Sequence, residues 1–115
     1  ALIDDLESRG LLDETLVVAV GEMGRTPKGN AKWGRGHWST CFPALLAGAG
    51  IRGGSLYGTS DAKAAHPRED PVTPEDLAKT IYWALGINPD LILPDREGRP
   101  VPMVETGKPI TALFS

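Results

Sequence analysis

A chain of 115 residues has room for one compact domain or a piece of one, and its 41% hydrophobic and 23% charged residues are ordinary for a soluble globular protein. A net charge of −3 and a pI near 5.3 argue against a general nucleic-acid or anionic-membrane binder, and no apolar run approaches the roughly 20 residues that span a bilayer. The single cysteine, Cys41, excludes an internal disulfide and any cysteine-rich zinc module.

Residues 1–9 place Leu2, Ile3 and Leu6 among acids in a surface-helix pattern that Gly10 is suited to end. The chain opens at Ala1, already inside that pattern and with no basic-then-apolar signal segment, so it reads as an excised piece. A short link leads to residues 16–20, an apolar run rich in β-branched side chains. Such a run predicts a strand buried on both faces, as in a parallel sheet. Helix, tight link and buried strand together suggest the αβ half of a βαβ unit. At Gly21 the run stops, and Glu22, Arg25 and Thr26 follow between the backbone-shaping Gly24 and Pro27. Ligands of open α/β sheets collect at such strand ends, so an acid and an arginine there are candidates for holding a metal and an anion.

From residue 25 to 40 there is no periodicity, which predicts a long loop of the kind that is usually functional or disordered. Residues 42–49 form a second apolar run and a second expected strand, 43–48, in the same sheet as 16–20. A glycine-rich turn at 48–54, a short strand at 55–57 and a polar loop at 59–70 come next. The clearest helix is 74–85: Thr73 is a good N-cap, Pro74 suits the first helical position, and Glu75 and Asp76 favour the positive dipole end. Leu77, Ile81, Ala84 and Leu85 recur at helical spacing, and Gly86 stops the helix. This helix is expected to pack on the sheet. The proline-punctuated remainder predicts a turn at 95–99 and a short strand at 100–104.

Several motifs have a functional and a plain reading. Residues 48–53 spell G-x-G-x-x-G after an expected strand, but no amphipathic helix follows, so a tight turn is the better reading than a dinucleotide fingerprint. Cys41-Phe42-Pro43 begins like the sulfatase signature C-x-P-x-R, yet Leu45 stands where its arginine belongs, so Cys41 reads as a small buried hydrophobe. Glu22 offers carboxylate oxygens to a divalent metal, or pairs with Arg25. His37 offers a ligand or a proton carrier, or packs on Trp33 or Trp38. Arg25 and Arg35 offer forked hydrogen bonds to an anion. His66, before Pro67, reads as ordinary surface.

With those residues in place, the chain resembles the C-terminal part of the bacterial domain-of-unknown-function family 1501, described as sulfatase-like. The carrying stretches are GLLDETLVVAVGEMGRTP (10–27), GRGHW (34–38), LLAGAGIRGGSLYGTSD (45–61) and PVTPEDLAKTIYWALGI (71–87), with Gly98-Arg99-Pro100 in the tail. The resemblance implies a branch of the alkaline-phosphatase superfamily and a fold class of α/β, a C-terminal fragment of a three-layer α/β/α sandwich, with residues 1–115 a single partial domain. It aligns 20–24 with the superfamily's strand ending in Asp-His-Gly or Asp-Asn-Gly, and His37, before Pro43, with its later histidine. On that alignment Glu22 and His37 are metal ligands for a divalent ion (Zn, Ca, Mg or Mn), and Arg25 is a catalytic residue stabilising an anionic ester. Met23 departs from the pattern, since a thioether suits hard cations poorly, and Gly36 stands where the family more often has Asp.

The resulting expectation is the C-terminal portion of a metal-dependent hydrolase of sulfate or phosphate esters. Its nucleophile and remaining ligands would belong to an absent N-terminal half, so the isolated chain would be inactive. The alternatives are a catalytically degenerate binding or structural protein of the same fold and, more remotely, a nucleotide-binding domain. The expected partners are an anionic ester substrate and that N-terminal half, with no nucleic acid and no membrane span. Export to the periplasm is implied by the resemblance alone.

Overall fold

The structure, a computed structural model, describes residues 1–114. The chain begins with helix α1 (Leu2–Ser8), closed by Gly10 at φ +68°. The Leu11 amide donates to the Leu6 carbonyl there, so the glycine caps the last turn. After a 3-10 turn at Leu12–Glu14 comes strand β1 (Val17–Val20), which pairs antiparallel with β4 (Ala44–Ala47) in the register Val17↔Ala47 to Val20↔Ala44. Between them lie β2 (Gly24–Arg25) and β3 (His37–Trp38), paired Gly24↔Trp38 and Arg25↔His37. Residues 17–47 are therefore one long nested hairpin, with β1–β4 as its base, β2–β3 as its continuation and residues 26–36 as its tip.

This corrects the expected parallel sheet. A parallel pair needs a crossover of a dozen or more residues, usually helical. Residues 21–43 contain no helix, so the second apolar run returns beside the first by folding back on it. The two runs do share a sheet, but a two-stranded antiparallel one. Neither is buried on both faces: Val20 is 47% exposed and Leu45 50%.

The later segments repeat the pattern. Strands β5 (Thr59–Ser60) and β6 (Pro67–Glu69) pair antiparallel, as do β7 (Ile92–Pro94) and β8 (Pro100–Pro102). The β7–β8 turn is built on Asp95, whose Oδ1 accepts the Glu97 and Arg99 amides and whose Oδ2 accepts Arg99 Nε at 2.7 Å. At 48–50 a tight turn replaces any phosphate-binding loop, with Gly48, Ala49 and Gly50 all at positive φ. The residues around 59–70, expected as loop, form the β5–β6 ribbon about the side chain of Asp61.

Helix α2 (Pro74–Ala84) carries the best-tied packing of the chain. Thr73 Oγ1 accepts the Asp76 amide, and the Asp76 carboxylate accepts the Thr73 amide in return, a reciprocal cap. Asp76 Oδ1 also accepts the Lys108 amide at 2.7 Å. One turn on, Thr80 is fully buried; its hydroxyl donates to the Asp76 carbonyl and accepts the Ile110 amide. Lys79, 6% exposed, reaches Asp90 Oδ1 at 2.6 Å. Gly107 permits this docking, because a Cβ there would stand 2.8 Å from the Asp76 amide nitrogen. The bonds fixing α2 thus run to residue 90 and to the 108–110 segment, not to β1 or β4.

The expected three-layer α/β/α sandwich is accordingly absent: the described residues form two α-helices and four separate two-stranded antiparallel ribbons. No apolar side chain among them is fully buried. The radius of gyration is 17.1 Å, where a compact chain of this length has about 13 Å. The accessible surface is 8654 Å², where a compact monomer of this mass exposes roughly 6,100 Å².

The Asp76 knot generates a prediction. Burial raises the Asp76 pKa, but the Thr73 and Lys108 N–H groups outweigh it and hold the carboxyl below its ordinary 3.8. A carboxyl lowered on folding stabilises the folded state above its ordinary pKa, and that contribution is lost as pH falls through the folded value. Amide exchange at Thr73 and Lys108 should therefore stay protected above pH 3.8 and lose protection below it. Asp76→Ala should lower protection at both amides by about five- to tenfold at neutral pH, as loss of a capping contact implies. Equal protection in the variant would show that the carboxylate does not hold the segment.

Candidate functional site

The β2–β3 ribbon positions the residues singled out in the sequence. Gly24 lies so close to the returning strand that a Cβ would be 2.3 Å from the Cys41 carbonyl oxygen and 2.9 Å from that of Trp38. Only a residue without a side chain permits this approach. The approach fixes the register, and the register places Arg25 directly opposite His37. Side chains of such a pair leave the same face of a ribbon, with Cβ atoms about 4.5–5.5 Å apart. Beyond the pair, the Thr26 amide donates to the Gly36 carbonyl at 3.0 Å, and Thr26 Oγ1 accepts the Gly36 amide at 3.2 Å.

Arg25 and His37 are both exposed, and neither side chain makes a hydrogen bond or ion pair with a described residue. Between Glu22 and Asp61 the sequence has no acidic residue, while Arg25, Lys28, Lys32, Arg35 and Arg52 all lie there. That stretch of sequence is therefore cationic in a chain of net charge −3. Arg35, the other candidate anion clamp, is partly engaged: its Nη1 donates to the carbonyls of Thr26 and Pro27 and braces the tip.

Glu22 lies in the bend between β1 and β2, exposed and without a hydrogen bond or ion pair to Arg25 or His37. The described residues contain no group of three or more His, Cys, Asp or Glu side chains placed to hold a metal ion. The structure thus brings Arg25 and His37 together and leaves Glu22 at the neighbouring bend. Cys41 is half-buried, with its carbonyl against Gly24. His66 is exposed, but its ring stands edge-on to Trp38 at 5.8 Å. Sequence reading took His66 as plain surface and did not use the acid-free run from 23 to 60, the one-dimensional signal of a cationic face.

The family described as Protein of unknown function (DUF1501) has a model that matches residues 1–114, and the chain belongs to that family. No curated protein and no solved structure matches the chain. No described helix is long and apolar enough to cross a membrane.

Register is what makes the Arg25–His37 pair, so disturbing Gly24 should separate it. Gly24→Ala should force the ribbon away from the Cys41 and Trp38 carbonyls at a cost of about 1–3 kcal/mol. The Thr26 amide should then exchange faster, and the Trp38 indole resonance should shift. An unperturbed Trp38 resonance in the variant would mean that the close approach is not rigid.

Proposed function

We propose that this DUF1501 member is an anion-recognising segment of a hydrolase of sulfate or phosphate esters, in which Arg25 and His37 contact the anionic group. The single observation that carries the reading is the Arg25↔His37 register, which sets the two residues side by side on the ribbon. A guanidinium presents a planar fork of N–H donors that matches two oxygens of a tetrahedral anion, and an imidazole ring adds one more donor. Neither group has an internal ion pair to give up before binding. Donors that meet the ester oxygens stabilise the negative charge that grows there, which is how such groups lower a barrier. The reaction class rests on the resemblance to sulfatase-like, alkaline-phosphatase-like proteins.

The resemblance also assigns Glu22 and His37 to a divalent metal, and the donor set of this chain does not complete that assignment. Glu22 and His37 are not brought together among the described residues, and the adjacent Met23 is a poor ligand for hard cations. The Arg25 guanidinium across from His37 adds a positive charge that opposes a cation there. No step of the reading therefore passes through a metal.

A second reading is a binding protein without turnover. On either reading Ser39 and Thr40, which follow His37 without a hydrogen bond to it among the described residues, are not the nucleophile.

Titration of the full-length protein with inorganic sulfate, beside turnover of p-nitrophenyl sulfate and phosphate, tests both readings. Arg25→Gln should weaken sulfate binding by about tenfold, the loss of one charge-assisted contact. Unchanged sulfate affinity in that variant would overturn the anion contact. Binding that depends on Arg25 without any turnover would select the binding protein.

A further inference from the structure

The opposite face of the same ribbon holds a shallow, open cleft of about 480 Å³. Adjacent strand residues leave opposite faces, so Trp38 and Thr26 line this cleft while Arg25 and His37 do not. Its walls come from two distant stretches: Thr26, Pro27, Lys28 and Asn30 of the hairpin tip, and Ala65 and His66 of the β5–β6 turn. Trp38 joins them, with Nε1 donating to the Ala65 carbonyl at 2.6 Å and its ring edge-on to His66. The indole is thereby fixed as an aromatic wall.

The polar groups of the cleft sort by whether a partner already holds them. The Thr26 and Pro27 carbonyls accept from Arg35, and the Lys28 carbonyl accepts from Thr26 Oγ1. Asn30 Oδ1 accepts the Lys32 and Gly34 amides at 2.9 Å each, which settles the orientation of that amide. The Asn30, Ala65 and His66 carbonyls accept from Trp33, Trp38 and Asp61 respectively. The side-chain donors without a hydrogen bond to a described residue are the Lys28 ammonium, the Asn30 amide NH₂ and the His66 ring, the last within electrostatic reach of Asp61. The first two only donate, and the third donates from one or both nitrogens. The nearby carboxylate, Asp61, is turned to its own loop, with Oδ1 accepting the Lys63 and Ala65 amides. An aromatic wall beside three side-chain donors favours negative charge on an apolar ring.

We propose that this cleft is a binding site for a small anion carrying an aromatic ring, with the ring against Trp38 and the anionic group on Lys28, Asn30 and His66. It does not depend on the Arg25–His37 reading, since the two sets of residues lie on opposite faces of the ribbon.

The test is a titration of the full-length protein with benzenesulfonate, benzyl alcohol and acetate, followed through the Trp38 indole N–H resonance and by calorimetry. Benzenesulfonate should bind saturably and move the Trp38 indole, at least about tenfold tighter than either the neutral ring or the ringless anion. Lys28→Gln, a substitution at an exposed side chain, should weaken the binding read at Trp38 by about tenfold, whereas Arg25→Gln, on the opposite face, should leave the affinity read at Trp38 unchanged. Benzyl alcohol binding as tightly as benzenesulfonate would overturn the proposal. So would an unmoved indole, or a Lys28→Gln variant that binds like the parent.

Discussion

A two-stranded ribbon pairs only one edge of each strand, and a ribbon standing alone is marginal in water. Here four such ribbons are joined with no fully buried apolar side chain among the described residues. Polar ties to backbone groups take the place of a core. Asp76 holds the Thr73 and Lys108 amides, Thr80 holds the Ile110 amide, Asp95 holds its own turn, Asp61 holds the β5–β6 loop, and Trp38 holds Ala65. Each tie satisfies a backbone group that would otherwise compete for water. Half of these ties are local in sequence and half join distant segments, and the chain extends to 51 × 45 × 25 Å.

That constraint shapes both faces of the hairpin. Without a core to press it into place, the β2–β3 ribbon owes its register to the close approach at Gly24 and to the Asn30 and Arg35 bonds that brace its tip. A braced tip is preorganised, so a ligand need not order it on binding. The strand period then sorts the residues: Arg25 and His37 to one face, Thr26 and Trp38 to the other. One hairpin thus carries basic residues on both faces, Arg25 and His37 on one and Lys28 beside Trp38 on the other.

Local signals in the sequence located the elements well. The β-branched run marked β1, the Thr73-Pro74 cap and Gly86 bracketed α2, Gly10 ended α1, and the absence of a helix after 48–53 correctly favoured a turn over a nucleotide loop. What was not legible was how the elements combine. A continuous apolar run looks the same whether it is buried between helices or lies in an exposed ribbon, so periodicity could not separate a parallel sheet from the hairpin. The hairpin's inner strands are two residues each, too short for any pattern to register. The Arg25–His37 pairing depends on a backbone approach at Gly24, and glycine in sequence signals freedom without saying what comes near. Trp38 and His66 meet across the fold, which no spacing encodes.

The central claim is that Arg25 and His37 act on one anion because the ribbon sets them side by side. A double-mutant cycle on sulfate affinity in the full-length protein measures this directly, using Arg25→Gln, His37→Gln and the pair together. Groups sharing a ligand are coupled, so the account predicts an interaction energy of about 0.5 kcal/mol or more, with the double variant losing less than the sum of the singles. Strict additivity, or sulfate affinity untouched by either substitution, would contradict it.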